Sequence, residues 1–235
     1  MTEFATTSTA KTLGRRKFLA GIGATGAVLA LPGCESLGGF SLTDAVRRLL
    51  YLSSERAFAR LTAPGGFWDE QVAAIGLSNM IGARGGVVAN ILTSTLFKDR
   101  LEHAFADIAI EGAERAAPIV TDAVRLIGIE NAIALINGGP TAATGFLRES
   151  MATSLIEAMV PELGQAMRIA NEPLVGELLA GLTGINISGV AQNLSNRIDT
   201  AIWTEMGVEE AAIRANPRAT NDPVLIGVLG GGSLL

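Results

Sequence analysis

Few side chains in this sequence have the types and the spacing that a metal site requires. His103 is the only histidine, and Asp99 and Asp107 lie four residues before and after it. Residues four apart share one face of a helix, so these three could offer a nitrogen and carboxylate oxygens to a metal ion. Protein metal sites usually add further histidines or cysteines. We therefore favour a hydrated polar face on which a carboxylate pairs with His103, and we predict neither a metal nor another cofactor.

A nucleophile with its base is equally hard to find. The sequence contains no Gly-x-Ser-x-Gly segment, and His103 alone could act as the base. Two carboxylate pairs, Glu111 with Glu114 and Glu209 with Glu210, fall on helix faces that we expect to meet water. The sequence therefore gives little support for an enzyme.

Arg148 is the polar residue whose position most needs an explanation. It lies at the flank of an apolar helical stripe, so its guanidinium must be paired or must reach outward to water. Glu114 and Glu130 are the carboxylates that we expect near it. Two interpretations stay open. One, which we favour, is an ion pair or carbonyl clamp that fixes the turn at 137–139, and the other is a polar ligand site that includes Arg148 and Glu114.

The first 34 residues have the pattern of an export signal. Arg15 and Arg16 are followed by a polar residue and Phe-Leu, which resembles the twin-arginine signature. The apolar run that follows is shorter than the roughly 20 residues that a membrane-spanning helix needs. It ends in Leu-Pro-Gly-Cys at 31–34, which resembles a lipobox. We expect acylation of Cys34, and the alternative is an incidental thiol behind a plain signal peptide.

Acyl chains on Cys34 would hold the mature chain on a membrane, facing the periplasm, without a spanning helix. The predicted layout is a signal peptide at 1–33, a Gly-rich tether at 34–40, a helical domain at 41–229 and a C-terminal tail at 230–235. The expected partners are the membrane, and either an apolar small molecule or another envelope protein.

The charge of the chain excludes nucleic acid as the main partner. The first 33 residues contain four basic residues and one acidic residue. Subtracting them from the totals of 18 and 23 leaves 14 basic and 22 acidic side chains, a net charge of −8. An acidic surface without a basic stripe repels phosphate backbones.

Apolar spacing predicts an all-α domain of roughly eight to ten helices with no β-sheet. We expect Ser41 or Thr43 to cap a helix that ends before Pro64, and Thr141 to cap one that runs to Val160. Prolines 118, 161 and 173 are expected to separate helices, and two helices are expected over 187–206 and 208–215. The remaining helices are expected at 67–77, 87–116 and 129–136.

Three segments carry a resemblance to a known family. Residues 131–148 read N-A-I-A-L-I-N-G-G-P-T-A-A-T-G-F-L-R, residues 113–118 read A-E-R-A-A-P, and residues 213–218 read I-R-A-N-P-R. They resemble the I-L-N-G-G-x-x-A-A-T-x-Y-F-R, A-E-K-A-A-P and I-R-x-N/D-P segments of the bacterial domain of unknown function 4197. The resemblance covers about residues 41–229 and implies an exported, helical protein without implying an activity.

The function that we expect is therefore a lipid-anchored helical binding or interaction module of the cell envelope. Many small residues together with scattered methionines would let helices part to admit an apolar guest. Ordinary core packing explains the same residues, so a passive structural lipoprotein is the alternative. An enclosed apolar cavity would favour the binding module, and a cleft that gathers Arg148, Glu114 and His103 would favour an enzyme.

Overall fold

The computed structural model describes residues 36–37, 40–75, 95–169 and 187–231, all of which belong to the unit Glu35–Leu235. This part of the chain contains eight α-helices, one 3-10 helix and two very short strands, which confirms the all-α prediction. The elements are β1 (Ser36–Leu37), β2 (Phe40–Ser41), α1 (Leu42–Leu61), α2 (Phe67–Ile75), α3 (Thr95–Leu126), α4 (Ala132–Ile136), α5 (Ala142–Met151), α6 (Ser154–Ile169), α7 (Ile187–Ala215), the 3-10 helix (Pro217–Thr220) and α8 (Pro223–Leu229).

The three longest helices, α1, α3 and α7, pack together, and α1 runs antiparallel to both of the others. The guanidinium of Arg47, near the start of α1, donates to the carbonyl of Ile127 just beyond the end of α3, at 3.3 Å. Arg60, near the end of α1, lies 3.3 Å from Glu205 in the middle of α7. Arg48, near the start of α1, pairs with Asp222 beyond the end of α7.

These contacts define two ends of the bundle. At the proximal end α1 begins, α3 and α7 end, and the short helices α4 and α8 pack. At the distal end α1 leads into α2. The chain enters the domain at the proximal end through β1, which pairs antiparallel with β2 in the register Ser36 to Ser41 and Leu37 to Phe40. The segment that was expected to be a plain tether therefore contains a short ladder directly before α1.

The core is built from the helical rows that the spacing predicts. The apolar rows of α1 (Leu42, Val46, Leu49, Leu50, Ala57 and Leu61) and of the first half of α3 (Leu101, Phe105 and Ile108) are buried along their whole length, because each faces the other long helices. The ten largest fully buried side chains are Leu49, Leu50, Leu61, Leu101, Leu147, Leu155, Met159, Leu163, Leu194 and Ile198. Met151 and Met206 are buried in the same core, so these methionines serve ordinary packing.

Two prolines lie inside helices, contrary to the prediction. Pro118 sits within α3 and Pro161 within α6, and both are exposed. A proline inside a helix removes one backbone hydrogen bond and costs about 3 kcal/mol or more. The freed carbonyl can meet water on an exposed face, and residues on the opposite face, such as Val120 and Leu163, are completely buried. Burial of that face offsets the local cost.

The predicted helix from Thr141 to Val160 is interrupted at Ala152, which separates α5 from α6. Ala152 has φ 48° and ψ −118°, a conformation that favours glycine and strains a residue with a Cβ. Met151 and Leu155, on either side of the break, are both buried. Packing of both helices against the core therefore holds Ala152 in this conformation.

Elsewhere two predicted helices are fused rather than interrupted. The helices predicted over 187–206 and 208–215 are one continuous helix, α7. Gly207 does not end it. A Cβ at Gly207 would lie 3.2 Å from Cγ2 of Thr141, so this glycine allows a close approach to the start of α5. The predicted cap of α1 is confirmed at Ser41, because the Ser41 hydroxyl accepts a hydrogen bond from the N–H of Asp44 at 3.1 Å. Among the described helices, none is both long enough and apolar enough to cross a bilayer.

Candidate functional site

The proximal end is organised around a buried ion pair on α7. Glu210 and Arg214 lie one helical turn apart, and their side chains are 0% and 11% exposed. Nε of Arg214 donates to Oε1 of Glu210 at 2.8 Å. Nη1 and Nη2 of the same guanidinium donate to the carbonyls of Ile136 and Leu135, each at 2.8 Å. We call Glu210 and Arg214 the helix clamp.

The carboxylate of the clamp closes the start of α5. Oε1 of Glu210 accepts from the N–H of Ala143 at 3.0 Å, and Oε2 accepts from the N–H of Thr144 at 2.7 Å. The first N–H groups of a helix and its last carbonyls have no partner within the helix. The clamp thus places an anion at the start of α5 and a cation at the end of α4, which is the favourable orientation for both helix dipoles.

The turn between α4 and α5, which the clamp holds at both ends, requires glycine at position 138. A Cβ at Gly138 would lie 2.6 Å from Cβ of Ala142 and 2.8 Å from the carbonyl oxygen of Ala134. Both contacts are closer than real Cβ atoms allow. Position 138 is therefore sterically closed to any larger residue.

Two of the three motif segments meet at this clamp, although they are far apart in the sequence. Residues 131–148 supply α4, the glycine turn and the start of α5, and Arg214 belongs to the segment 213–218. The chain also matches a family model described as protein of unknown function (DUF4197) over residues 36–230. The chain belongs to this family. A search of curated proteins and a search of solved structures each gave no match.

A carbonyl clamp was expected at this turn of the DUF4197 domain, but with Arg148 as its cation. The structure assigns that role to Arg214. The local pattern did not indicate this role, because Glu210 was expected on the hydrated face of its helix together with Glu209. The signal that was available is the spacing of Glu210 and Arg214, four residues apart, in a turn that follows the buried Met206.

Arg148 has a different partner from those expected. Its guanidinium lies 3.7 Å from Oδ2 of Asp199 on α7, with Arg148 53% exposed and Asp199 8% exposed. Asp199 also accepts a hydrogen bond from the indole N–H of Trp203 at 2.8 Å. Burial raises the pKa of Asp199 above its ordinary value, although the Trp203 hydrogen bond and the charge of Arg148 act in the opposite direction. Glu114 is remote from this pair and lines a groove with Tyr51 and Phe58.

His103 has a carboxylate partner, as the favoured interpretation expected, but the carboxylate comes from another helix. Nδ1 of His103 lies 2.7 Å from Oδ1 of Asp69 on α2. The imidazole is 72% exposed, so the contact joins α2 to α3 at the surface. No cluster of three metal-binding side chains occurs within the described ranges. Arg148, Glu114 and His103 thus lie at three separate places and do not form one cleft.

The surface with the strongest features of a binding site is a groove of about 420 Å³ between α2 and α7. We call it the α2–α7 groove. One wall is aromatic, since Phe67 and Trp68 meet edge to face with ring centroids 5.1 Å apart. The remaining lining residues are Gln71 of α2 and, from α7, Asn196, Arg197, Thr200, Ala201, Thr204 and Glu205. A volume of this size lies within the range of small-molecule sites.

Three of the seven buried side-chain polar atoms that have no hydrogen-bond partner among the described residues belong to residues that line this groove. They are Nε1 of Trp68, Nε of Arg197 and Oε2 of Glu205. Glu205 is compensated by charge, because Nη1 of Arg60 lies 3.3 Å from that oxygen. Trp68 and Arg197 have no such compensation among the described residues. Buried polar groups in proteins are nearly always satisfied, so two unpaired donors on residues that line one groove make it the candidate binding site of the described part of the chain.

The sequence did not indicate this groove. Trp68 and Arg197 are 129 positions apart, and neither belongs to a recognisable motif. The residues on which the membrane address rests, Arg15, Arg16 and Cys34, lie outside the described residues.

Proposed function

We propose that this DUF4197 protein is an exported lipoprotein whose helical domain is a binding module, and that the α2–α7 groove is its binding surface. The observation that carries the proposal is the pair of unsatisfied buried groups, Nε1 of Trp68 and Nε of Arg197, beside an aromatic wall. Each unpaired buried donor costs about 1–3 kcal/mol, and these two belong to residues of one groove, where a ligand would supply acceptors.

The arrangement of the two ends supports a tethered module. Only Glu35 separates Cys34 from β1 in the chain, so a lipid on Cys34 would keep the proximal end close to a bilayer. Glu205, at one end of the groove, pairs with Arg60, which lies 18 residues after the start of α1. At 1.5 Å per residue this is about 27 Å along the helix axis. The groove would then open toward the periplasm, away from the membrane surface.

A ligand carried by the protein in its own cells tests the binding function. The wild-type protein is extracted from its membrane and analysed by native mass spectrometry for a bound small molecule. Ala201→Trp is expected to fill the groove and to remove the bound mass. Ala212→Trp places the same side chain on an exposed position of the same helix, outside the groove, and is expected to retain it. No bound mass in the wild type would favour the passive structural lipoprotein, and a bound mass that both variants retain equally would refute the α2–α7 groove as its site.

The membrane address is tested separately. Cells that produce the wild type are expected to retain it in the membrane fraction, with metabolically incorporated acyl label on the protein. Cys34→Ala is expected to lose the label and to leave the membrane fraction. Replacement of Arg15 and Arg16 by lysine is expected to stop export. A Cys34→Ala protein that stayed in the membrane fraction would refute the anchor.

A further inference from the structure

We infer that the ligand of the α2–α7 groove is an anionic amphiphile, and that Arg197 binds its anionic head. The apolar body would lie along the aromatic wall of Phe67 and Trp68. This inference rests on the proposed function, because it names the class of ligand for the same groove.

Arg197 differs from the other partly buried arginines of the described residues, which are Arg47, Arg56 and Arg214. Each of those has an acceptor within the domain. Arg47 donates to a backbone carbonyl, Arg56 lies near Glu209, and Arg214 belongs to the helix clamp. Arg197 has neither an ion pair nor a hydrogen bond among these residues. Its Nε is buried without a partner, as is that of Arg47, but no other nitrogen of the Arg197 guanidinium is bonded within the domain. A guanidinium with five donors and no acceptor at the edge of a groove is suited to an oxyanion such as a carboxylate or a phosphate.

The charges along the groove place the anionic head of the ligand at one end and its apolar body along the rest. Arg197 and Glu205 are eight residues apart on α7, which is about 12 Å along the helix. The Glu205 end already has its charge balanced by Arg60 at 3.3 Å. An anionic head is therefore attracted to the Arg197 end and gains nothing at the other.

Between these two ends the floor of the groove is less polar than its two threonines suggest. The hydroxyl of Thr200 donates to the carbonyl of Asn196 at 2.8 Å, and that of Thr204 donates to the carbonyl of Thr200 at 2.7 Å. Both threonine hydroxyls therefore donate within α7 and have no proton left to donate to a ligand. With Ala201 between them and the aromatic wall opposite, the middle of the groove offers mainly carbon to a ligand. This pattern of one cation beside an apolar strip fits a molecule with one anionic end.

Calorimetric titration with three probes of equal chain length tests the inference. The protein is the full chain with Cys34→Ala, purified without detergent, and the probes are decanoate, decyl phosphate and decanol. At least one of the two anionic probes is expected to bind about tenfold more tightly than decanol. The comparison of decanoate with decyl phosphate shows which anion the site prefers.

Two arginine variants supply the control. Arg197→Gln is expected to reduce the preference for the anionic probe over decanol to about onefold, with an unchanged or higher melting temperature, because no internal contact of the guanidinium is lost. Arg218→Gln removes the same charge from an exposed position on the 3-10 helix and is expected to keep the preference.

Each other outcome overturns a different statement. Equal binding of decanol and both anions refutes the anionic ligand and leaves the groove as an apolar binding surface. A preference that survives Arg197→Gln, or that is lost equally in Arg218→Gln, refutes the role of Arg197. Strong destabilisation by Arg197→Gln would make this residue structural. Binding of none of the three probes, together with no bound mass in protein from its own cells, would refute the binding function as well.

Discussion

Oε1 of Glu210 and Nη2 of Arg214 lie 2.7 Å apart inside the domain, and each side chain also holds the backbone of another helix. Through this one pair, α7 is joined to the end of α4 and to the start of α5. Two of the three motif segments of the family, 131–148 and 213–218, are brought into contact there. The pair is therefore the main structural device of the proximal end, as the α2–α7 groove is the main feature nearer the distal end.

Removing the charge of Glu210 is expected to destabilise the domain strongly. Glu210→Gln leaves the buried guanidinium of Arg214 without its counter-ion and places an amide N–H₂ where two backbone N–H groups need acceptors. The expected loss is about 3 kcal/mol in the free energy of unfolding, measured by urea denaturation. Glu209→Gln is the matched control, because Glu209 lies 3.9 Å from Arg56 near the surface, and its expected loss is below about 1 kcal/mol. Similar losses in the two variants would refute the clamp.

Relief of backbone strain at Ala152 is expected to stabilise the domain. Glycine adopts φ 48° and ψ −118° without a Cβ clash, so Ala152→Gly should gain about 1 kcal/mol after its extra chain entropy is subtracted. Ala212→Gly, at an exposed position inside α7, should instead lose about 1 kcal/mol. Melting temperatures of both variants measure the difference. A loss at both positions would show that Ala152 is not strained.

Gly112 is expected to be required where α3, α6 and α7 meet. A Cβ at this position would lie 2.7 Å from Cδ1 of Ile198 and 3.1 Å from Cδ2 of Leu163. Gly112→Ala should therefore cost about 1–3 kcal/mol through overpacking. Gly145→Ala is the control. No atom lies within 4 Å of a Cβ built at this position. Gly145→Ala should therefore raise the free energy of unfolding by up to about 1 kcal/mol through helix propensity. Thermal unfolding that ranks the two variants in the opposite order would refute the packing argument.

Two aspartates are expected to give opposite dependences of stability on pH. Burial raises the pKa of Asp199 above 3.8, so the folded state binds this proton more tightly than the unfolded state. The stability that protonated Asp199 contributes is present below pH 3.8 and is lost as the pH rises through the folded pKa. The stability of Asp199→Asn relative to the wild type should therefore increase as the pH rises through this window. Its melting temperature, measured across the acidic range, checks the sign.

The pH dependence of stability at Asp222 has the opposite sign. Burial alone would raise its pKa, but hydrogen bonds from Arg48 and from the N–H groups of Leu225 and Val224 outweigh burial, so the pKa of Asp222 is lowered from 3.8. Its carboxylate contributes stability above pH 3.8, which is lost as the pH falls through the folded pKa. Asp222→Asn should lose stability at neutral pH and approach the wild type in acid. Parallel curves for the two aspartate variants would contradict these assignments.

Much of the helical fold follows from the sequence alone. Periodic apolar residues define the buried rows of α1 and α3, and Ser41 marks where α1 begins, because a cap and a stripe are local properties of the chain. The resemblance in residues 131–148 and 213–218 correctly indicated the family. The turn at 137–139 was expected to be fixed by a carbonyl clamp, and such a clamp is present.

Other features depend on contacts between distant residues, which local patterns do not contain. Pro118 stays inside α3 and Ala152 interrupts a helix because packing of the neighbouring turns outweighs the local preference. Arg214, rather than Arg148, fixes the glycine turn because α7 crosses the ends of two short helices. Trp68 and Arg197 come to line one groove only because α2 packs on α3 and thereby faces α7. The sequence thus determined which segments are helical and which faces are apolar, and the tertiary structure decided which polar groups were paired and which were left without a partner.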